Sequence, residues 1–219
     1  MTNYDSYFKM NSIRRVKTMN NFETILPENY QEVFHIDVKN NKTGLILNLI
    51  ALLIAGILIA IAFAILFLTT DFVYDLQSSD TLYFFAFLGI LILYIIAHEL
   101  VHGIAYKSLT KQKLTFGIKW SCAFCGLPNI YVSRKTAMIA LILPFAVFTP
   151  IFTGILVWLY FYQQFLYFYT AILLALHGGG CIGDLYVFLL FLFKFKDKTY
   201  LMRDTGPEQF IYQLQEEKE

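Results

Sequence analysis

Hydrophobic positions gather in four long blocks, roughly Gly44–Leu68, Leu82–Tyr106, Ala137–Phe161 and Phe165–Phe193, with polar segments between them. Each block reaches the about 20 apolar residues that a helix needs to cross a bilayer. Two shorter segments instead alternate with the period of a strand. In Glu32–Val38, Phe34, Ile36 and Val38 share one face, and Val33, His35 and Asp37 the other. Further on, Leu114, Phe116, Ile118 and Trp120 alternate against Thr115, Gly117, Lys119 and Ser121. Gly126-Leu127-Pro128-Asn129 reads as a turn and Ile130–Ser133 as a return strand. The pattern predicts a small amphipathic hairpin against the mouth of the helices. After Phe193 the chain is mixed and charged, broken by Gly206-Pro207.

The charges give the four blocks a direction. Of the 17 Lys and Arg, six precede the first block: Lys9, Arg14, Arg15, Lys17, Lys39 and Lys42. Six lie between the second and third (Lys107, Lys111, Lys113, Lys119, Arg134, Lys135) and five in the tail (Lys194, Lys196, Lys198, Arg203, Lys218). The loop Thr69–Thr81 has none and carries Asp71, Asp75 and Asp80; the turn Tyr162–Gln164 has none either. By the positive-inside rule both termini and the central loop are cytoplasmic. The expected fold is therefore mainly α: a polytopic membrane protein with four transmembrane helices, cytoplasmic N- and C-termini and a small cytoplasmic β-hairpin. Residues 1–43 form a cytoplasmic N-terminal segment with a short strand. Residues 44–193 form the membrane domain with its hairpin loop 107–136, and residues 194–219 a cytoplasmic tail.

Composition agrees. The chain of 219 residues is 58% hydrophobic and 15% charged, against about 45–50% and about 25% in soluble domains. A net charge of +1 and three Cys exclude a disordered chain, a disulfide scaffold and a basic nucleic-acid binder. No signal peptide is visible, so the first span is expected to stay as an anchor in a multi-pass protein of the cell membrane, bathed in lipid. The aromatic cluster Tyr160–Phe168 reads as an interfacial belt. Cys122 and Cys125 make a CxxC without a second one or a thioredoxin-like βαβ context, so they read as buried small residues rather than a redox or zinc site. Cys181 reads as packing.

Ionisable residues inside spans are costly and mark function. Here they are His98, Glu99 and His102 in the second span, and His177 and Asp184 in the fourth. His98-Glu99-Leu100-Val101-His102 is an HExxH. On a helix its two imidazoles lie about 6 Å apart along the axis, on one face. That spacing suits one tetrahedral Zn²⁺ with room for a third ligand and a water, for which Glu99 is the general base. These side chains could instead be helix–helix hydrogen-bonding glue. Yet no span holds a Lys or Arg to partner a buried carboxylate, and a divalent metal supplies that partner.

Asp184 is the only acid in another span. Acids of the tail and the N-terminal segment share the cytoplasmic side and stay open as ligands. His102 and His98 stand about 6 and 12 Å from the cytoplasmic end of their helix, and Asp184 about 14 Å from the end of its own, so the depths match. Gly178, Gly179, Gly180 and Gly183 weaken the helix beside it. Either it opens there, or the Gly179-Gly183 GxxxG packs closely on a neighbour. His177 fits three roles: stabilising an oxyanion, ligating the metal, or hydrogen-bonding a neighbour.

These residues resemble a family of bacterial membrane proteins classed as zincin peptidases. The features that carry it are Leu26-Pro27-Glu28-Asn29-Tyr30 before the Ile36-Asp37 strand, the first span, and Ala97–Gly103 with its HExxH. Phe116-Gly117-Ile118-Lys119-Trp120, Gly126-Leu127-Pro128-Asn129 and Gly180–Asp184 extend it. The resemblance implies a zinc peptidase with ligands His98, His102 and Asp184, and Glu99 as catalytic base. The layout also looks like site-2 proteases, which pair an HExxH span with a later Asp-bearing span. The chain departs from them in lacking Asn-Pro-Asp-Gly around Asp184, which leaves the oxyanion-stabilising group open.

The expected function is a membrane-embedded zinc metalloprotease, its site toward the cytoplasm, acting on a membrane or membrane-proximal protein. The hairpin Lys113–Arg134 offers an edge strand for an extended substrate. Two other classes stand against it: a non-catalytic zinc-binding membrane protein of chaperone or regulatory type, and a small transporter. Spans one–two and three–four share one orientation, so the inverted repeat of many transporters is absent.

Overall fold

The computed structural model describes residues 21–37, 42–71, 80–119, 122–197 and 199–215. Val38, Trp120 and Ser121 of the alternating segments lie outside these, as do Asp75, Lys9, Arg14, Arg15, Lys17, Lys39, Lys198 and Lys218. Among the described residues the chain is mainly helical, with four helical spans long and apolar enough to cross a membrane: Lys42–Thr69, Thr81–Thr110, Arg134–Tyr162 and Gln164–Lys194. The helices are α1 (Lys42–Thr69), α2 (Asp80–Thr110), α3 (Arg134–Tyr162), α4 (Gln164–Gly180) and α5 (Ile182–Leu189), the last closing in a π-helical turn, Leu190–Lys194. Large aliphatic side chains of α1 and α2, such as Leu52, Leu68, Leu82 and Leu93, face outward. An apolar exterior of this kind is the surface that hydrocarbon accepts.

α1 packs on α4, α4 on α3, and α3 on α2. Among the described residues, of the GxxxG pair only Gly179 makes the close approach: a Cβ there would stand 2.9 Å from the Ala51 carbonyl oxygen of α1, while one on Gly183 meets nothing within 4 Å. The fourth span is also interrupted. Cys181 separates α4 from α5 as a single turn residue, and its N–H still bonds to the His177 carbonyl at 3.0 Å. The close-packing reading therefore holds at Gly179, while the helix does not open: the Leu185 N–H also bonds to the Cys181 carbonyl at 2.9 Å, and Cys181 stays in the right-handed helical region. The far end is anchored by Arg134, whose Nε and Nη2 donate to the Phe191 carbonyl at 3.1 and 2.7 Å and whose Nε also donates to Phe195 at 2.8 Å. The aromatic cluster divides. Phe161 and Tyr162 face outward, whereas Tyr167 is buried and donates to the Ala62 carbonyl at 2.9 Å.

The strands differ most from expectation. Besides β1 (Phe22–Glu23) and β2 (Tyr30–Asp37) there are β3 (Thr115–Lys119), β4 (Cys122–Gly126), β5 (Tyr131–Ser133), β6 (Leu201–Asp204) and β7 (Glu208–Leu214). β3 and β4 form the hairpin, with Thr115 opposite Gly126 and Lys119 opposite Cys122. The return strand is therefore Cys122–Gly126 rather than Ile130–Ser133. The Gly126–Asn129 turn leads instead to β5, which pairs with β1 and β6 in a second, five-stranded antiparallel sheet ordered β1-β5-β6-β7-β2. The tail supplies its central strands. Gly206-Pro207 is their turn, with Gly206 at φ 93° and the Thr205 N–H donating to the Glu208 carbonyl at 3.0 Å. Positive φ and the Phe124 ring against that backbone both require glycine. The sheet thus draws on residues from before α1, from the α2–α3 connection and from the tail. All three meet at one end of the helices, in a core that includes Ile36, Val132, Met202, Ile211 and Phe191.

Candidate metal centre

α2 presents Tyr94, His98 and His102 at intervals of four residues on one face. The imidazole centroids of His98 and His102 are 5.0 Å apart. The break at Cys181 starts α5 afresh, and Asp184 lies in its first turn. Asp184 Oδ2 stands 3.6 Å from His98 Nε2 and 3.3 Å from His102 Nε2. The three residues offer donor atoms that all lie within 4.8 Å of one another, with both histidines buried.

Whether these groups fit a metal is decided by their hydrogens. His102 Nδ1 lies 2.8 Å from the Ala140 carbonyl oxygen, which can only accept. Nδ1 therefore carries the hydrogen, and in a neutral ring Nε2 aims its lone pair at Asp184 Oδ2. Two acceptors facing each other need a proton or a metal cation between them. The distances also exceed the usual 2.7–3.2 Å of an N–H···O bond. They match the about 3.4 Å that separates donors placed tetrahedrally about 2.0–2.1 Å from a zinc ion. The donor set, two imidazoles and a carboxylate, is one that zinc accepts. A second group, His98, His177 and Cys181, also brings potential ligand atoms within 4.8 Å of one another.

A cavity of about 200 Å³ opens onto the three donors. Glu99, Gly180, Gly183, Cys125, Asp204 and Pro207 help to line it, so helices, hairpin and tail sheet all contribute wall. The Glu99 carboxylate receives the backbone N–H of Cys125 from β4. The hairpin lies against α2 at Gly103, where Leu114, Phe116 and Cys125 crowd the place of a Cβ. Burial pushes the Cys125 thiol up to about 12, so it is a thiol and a poor nucleophile at neutral pH. The side chain of Cys122 lies outside the described part.

His177 stands apart from that cavity wall. Fully buried on α4, it contacts Tyr94, Thr149 and Cys181 among the rings of Phe145, Phe148 and Phe152. Two residues near the centre were not singled out by the sequence. Tyr94 was visible as a tyrosine one turn before His98 in an apolar span. Asp204 was not, because only the sheet brings the tail to the cavity. Asp204 is buried, accepts from Tyr106 Oη at 2.7 Å and from the Gly206 N–H at 2.8 Å. Burial raises its carboxyl to about 6, against the lowering effect of those two bonds.

An HExxH helix facing a carboxylate on a second helix, inside a set of membrane-length helices, defines a candidate membrane-embedded metal site. Residues 90–200, just over half of the chain, match the family model described as "Putative zincin peptidase", and the chain belongs to that family. The match takes in the HExxH, the hairpin, β5 and Asp184 and leaves Leu26–Asp37 outside. The family points to a metallopeptidase and, through its zincin type, to zinc. No curated protein and no solved structure gives a match.

Proposed function

We propose that the protein is a membrane-embedded zinc metalloprotease that hydrolyses peptide bonds of a membrane or membrane-proximal protein. The observation that carries this reading is the convergence of His98 Nε2, His102 Nε2 and Asp184 Oδ2 at 3.3–3.6 Å beside Glu99. When bound, zinc supplies Lewis acidity, polarising a carbonyl and making a water acidic enough to be deprotonated near neutral pH. The residues of the chain do the rest. His98, His102 and Asp184 hold the ion. Glu99 takes the proton of the attacking water on its carboxylate and returns it to the departing amine, with the Cys125 N–H orienting that carboxylate. Gly180 and Gly183, bare of side chains on the cavity wall, leave room for an extended backbone.

The site faces the cytoplasm in this account. The sorting of 17 cations into three segments supports that orientation. Strands from those same three segments also share one sheet. The test is proteomic. Cells carrying Glu99→Gln should accumulate an uncleaved membrane-associated protein that wild-type cells process. An unchanged substrate profile, in cells where both forms carry zinc, overturns proteolysis in favour of a non-catalytic zinc protein.

A further inference from the structure

Behind His98 the polar contacts form one continuous chain across three helices. His98 Nδ1 lies 3.1 Å from Tyr94 Oη, and that oxygen lies 2.7 Å from His177 Nδ1. His177 Nε2 lies 3.0 Å from Thr149 Oγ1 on α3. Rings pack against the path: half-buried Tyr94 sits edge-on to Phe148, with Phe152 beside it, and His177 is 0% exposed. Cys181 Sγ is a weaker neighbour, 3.6 Å from His177 Nδ1.

A phenol carries one hydrogen, so Tyr94 donates to one imidazole and accepts from the other. The polarity of the whole chain then follows from His98. A metal on His98 Nε2 leaves the hydrogen on Nδ1, which donates to Tyr94 Oη. Tyr94 in turn donates to His177 Nδ1. The remaining hydrogen of neutral His177 is then on Nε2 and is donated to Thr149 Oγ1. Both imidazoles and the phenol are satisfied in this sense, and each bond supports the next. In the opposite sense the His98 hydrogen sits on Nε2, where the metal belongs.

We propose that Tyr94, His177 and Thr149 are positioning residues that hold His98 in its metal-binding tautomer, so that the affinity of the centre is set in part by a histidine that never touches the metal. This rests on the reading of His98 Nε2 as a metal donor. Its chemistry is that of an outer-shell partner, whose loss commonly weakens metal binding by about 10–100-fold. His177 acts through Tyr94 and needs no access to the cavity.

The test uses full-length protein in detergent micelles, with the zinc dissociation constant measured by chelator competition and fold checked by circular dichroism. Tyr94→Phe keeps the ring against Phe148 and Phe152 and removes only the hydroxyl. It should weaken zinc by about 10–100-fold while still binding one ion per chain at saturation. His177→Leu should do the same. His177→Asn, which places an amide oxygen where Nδ1 accepts, should restore most of the affinity, and Cys181→Ala should leave it unchanged. In ¹⁵N-histidine spectra of the zinc-loaded wild type, His177 should carry its hydrogen on Nε2. Unchanged affinity in Tyr94→Phe, with binding abolished by His98→Ala, overturns the relay and leaves the metal site standing. Zinc lost at saturation from both His177→Leu and Cys181→Ala overturns it by making those residues ligands. Wild-type protein that binds no zinc removes the site and the relay together. If His177→Leu does not fold, Tyr94→Phe decides alone.

Discussion

Replacing Asp204 by Asn tests how the tail sheet is coupled to the cavity. Asp204 is 5% exposed, and burial raises its carboxyl from 3.8 to about 6. Between those values the folded chain binds a proton that the unfolded chain has released. Stability therefore falls as pH rises through this window: it is highest below about 4, and the loss is complete above about 6. The difference of about 2 units corresponds to about 3 kcal/mol, at about 1.4 kcal/mol per unit. Asn cannot titrate. Any hydrogen bond it fails to make with Tyr106 Oη or the Gly206 N–H costs about 1–3 kcal/mol, but equally at every pH. At pH 4 the unfolded carboxyl is already more than half ionised, so the stability of Asp204→Asn relative to wild type should climb by about 2–2.5 kcal/mol from pH 4 to pH 7. For a chain of this length that is on the order of 4–10 °C in thermal midpoint. The assay is thermal unfolding of chelator-treated protein in micelles, followed by circular dichroism across pH 4–8. Parallel curves for the two proteins would show that Asp204 keeps the same proton affinity folded and unfolded.

Two further substitutions probe how the helices are held. Gly179→Ala forces a Cβ to within 2.9 Å of the Ala51 carbonyl oxygen and should lower stability by about 1–3 kcal/mol. Gly56→Ala, with nothing within 4 Å, should be neutral or raise it by up to about 1 kcal/mol; equal effects in unfolding assays would contradict the close packing of α1 on α4. Arg134→Ala removes the guanidinium that donates to the Phe191 and Phe195 carbonyls. It should cost about 2–3 kcal/mol, while the exposed neighbour Lys135→Ala stays within about 0.5 kcal/mol of wild type.

The helices and the meeting of His98, His102 and Asp184 were legible because their signals are local. An apolar block reports its own length, and a four-residue spacing reports its own face. Counting helix depth from the cation-rich ends placed Asp184 level with the HExxH, and the structure brings them to within 3.6 Å. The sheet was not legible. In its central strands Leu201 and Met202 are both buried, as are Ile211 and Tyr212, so consecutive side chains on opposite faces are covered and no alternation remains. Within the expected return strand Ile130–Ser133, Tyr131–Ser133 does form a strand, but its partners lie at residues 22–23 and 201–202, pairings that no local pattern encodes. Asp204 was hidden for the same reason. Its place on the cavity wall exists only once the tail has joined the sheet. Tyr94 is the instructive omission, since its spacing from His98 is the same four residues that made His102 conspicuous.

His98, His102 and Asp184 are proposed to hold a zinc ion for Glu99 to work beside. The most direct measurement is the zinc content of purified wild-type protein and of His98→Ala, Asp184→Ala and Glu99→Gln, by elemental analysis of folded micellar samples. About one zinc per chain is expected in wild type and in Glu99→Gln, with loss in the other two. Wild-type protein free of zinc after supplementation, or zinc retained by both His98→Ala and Asp184→Ala, would contradict it.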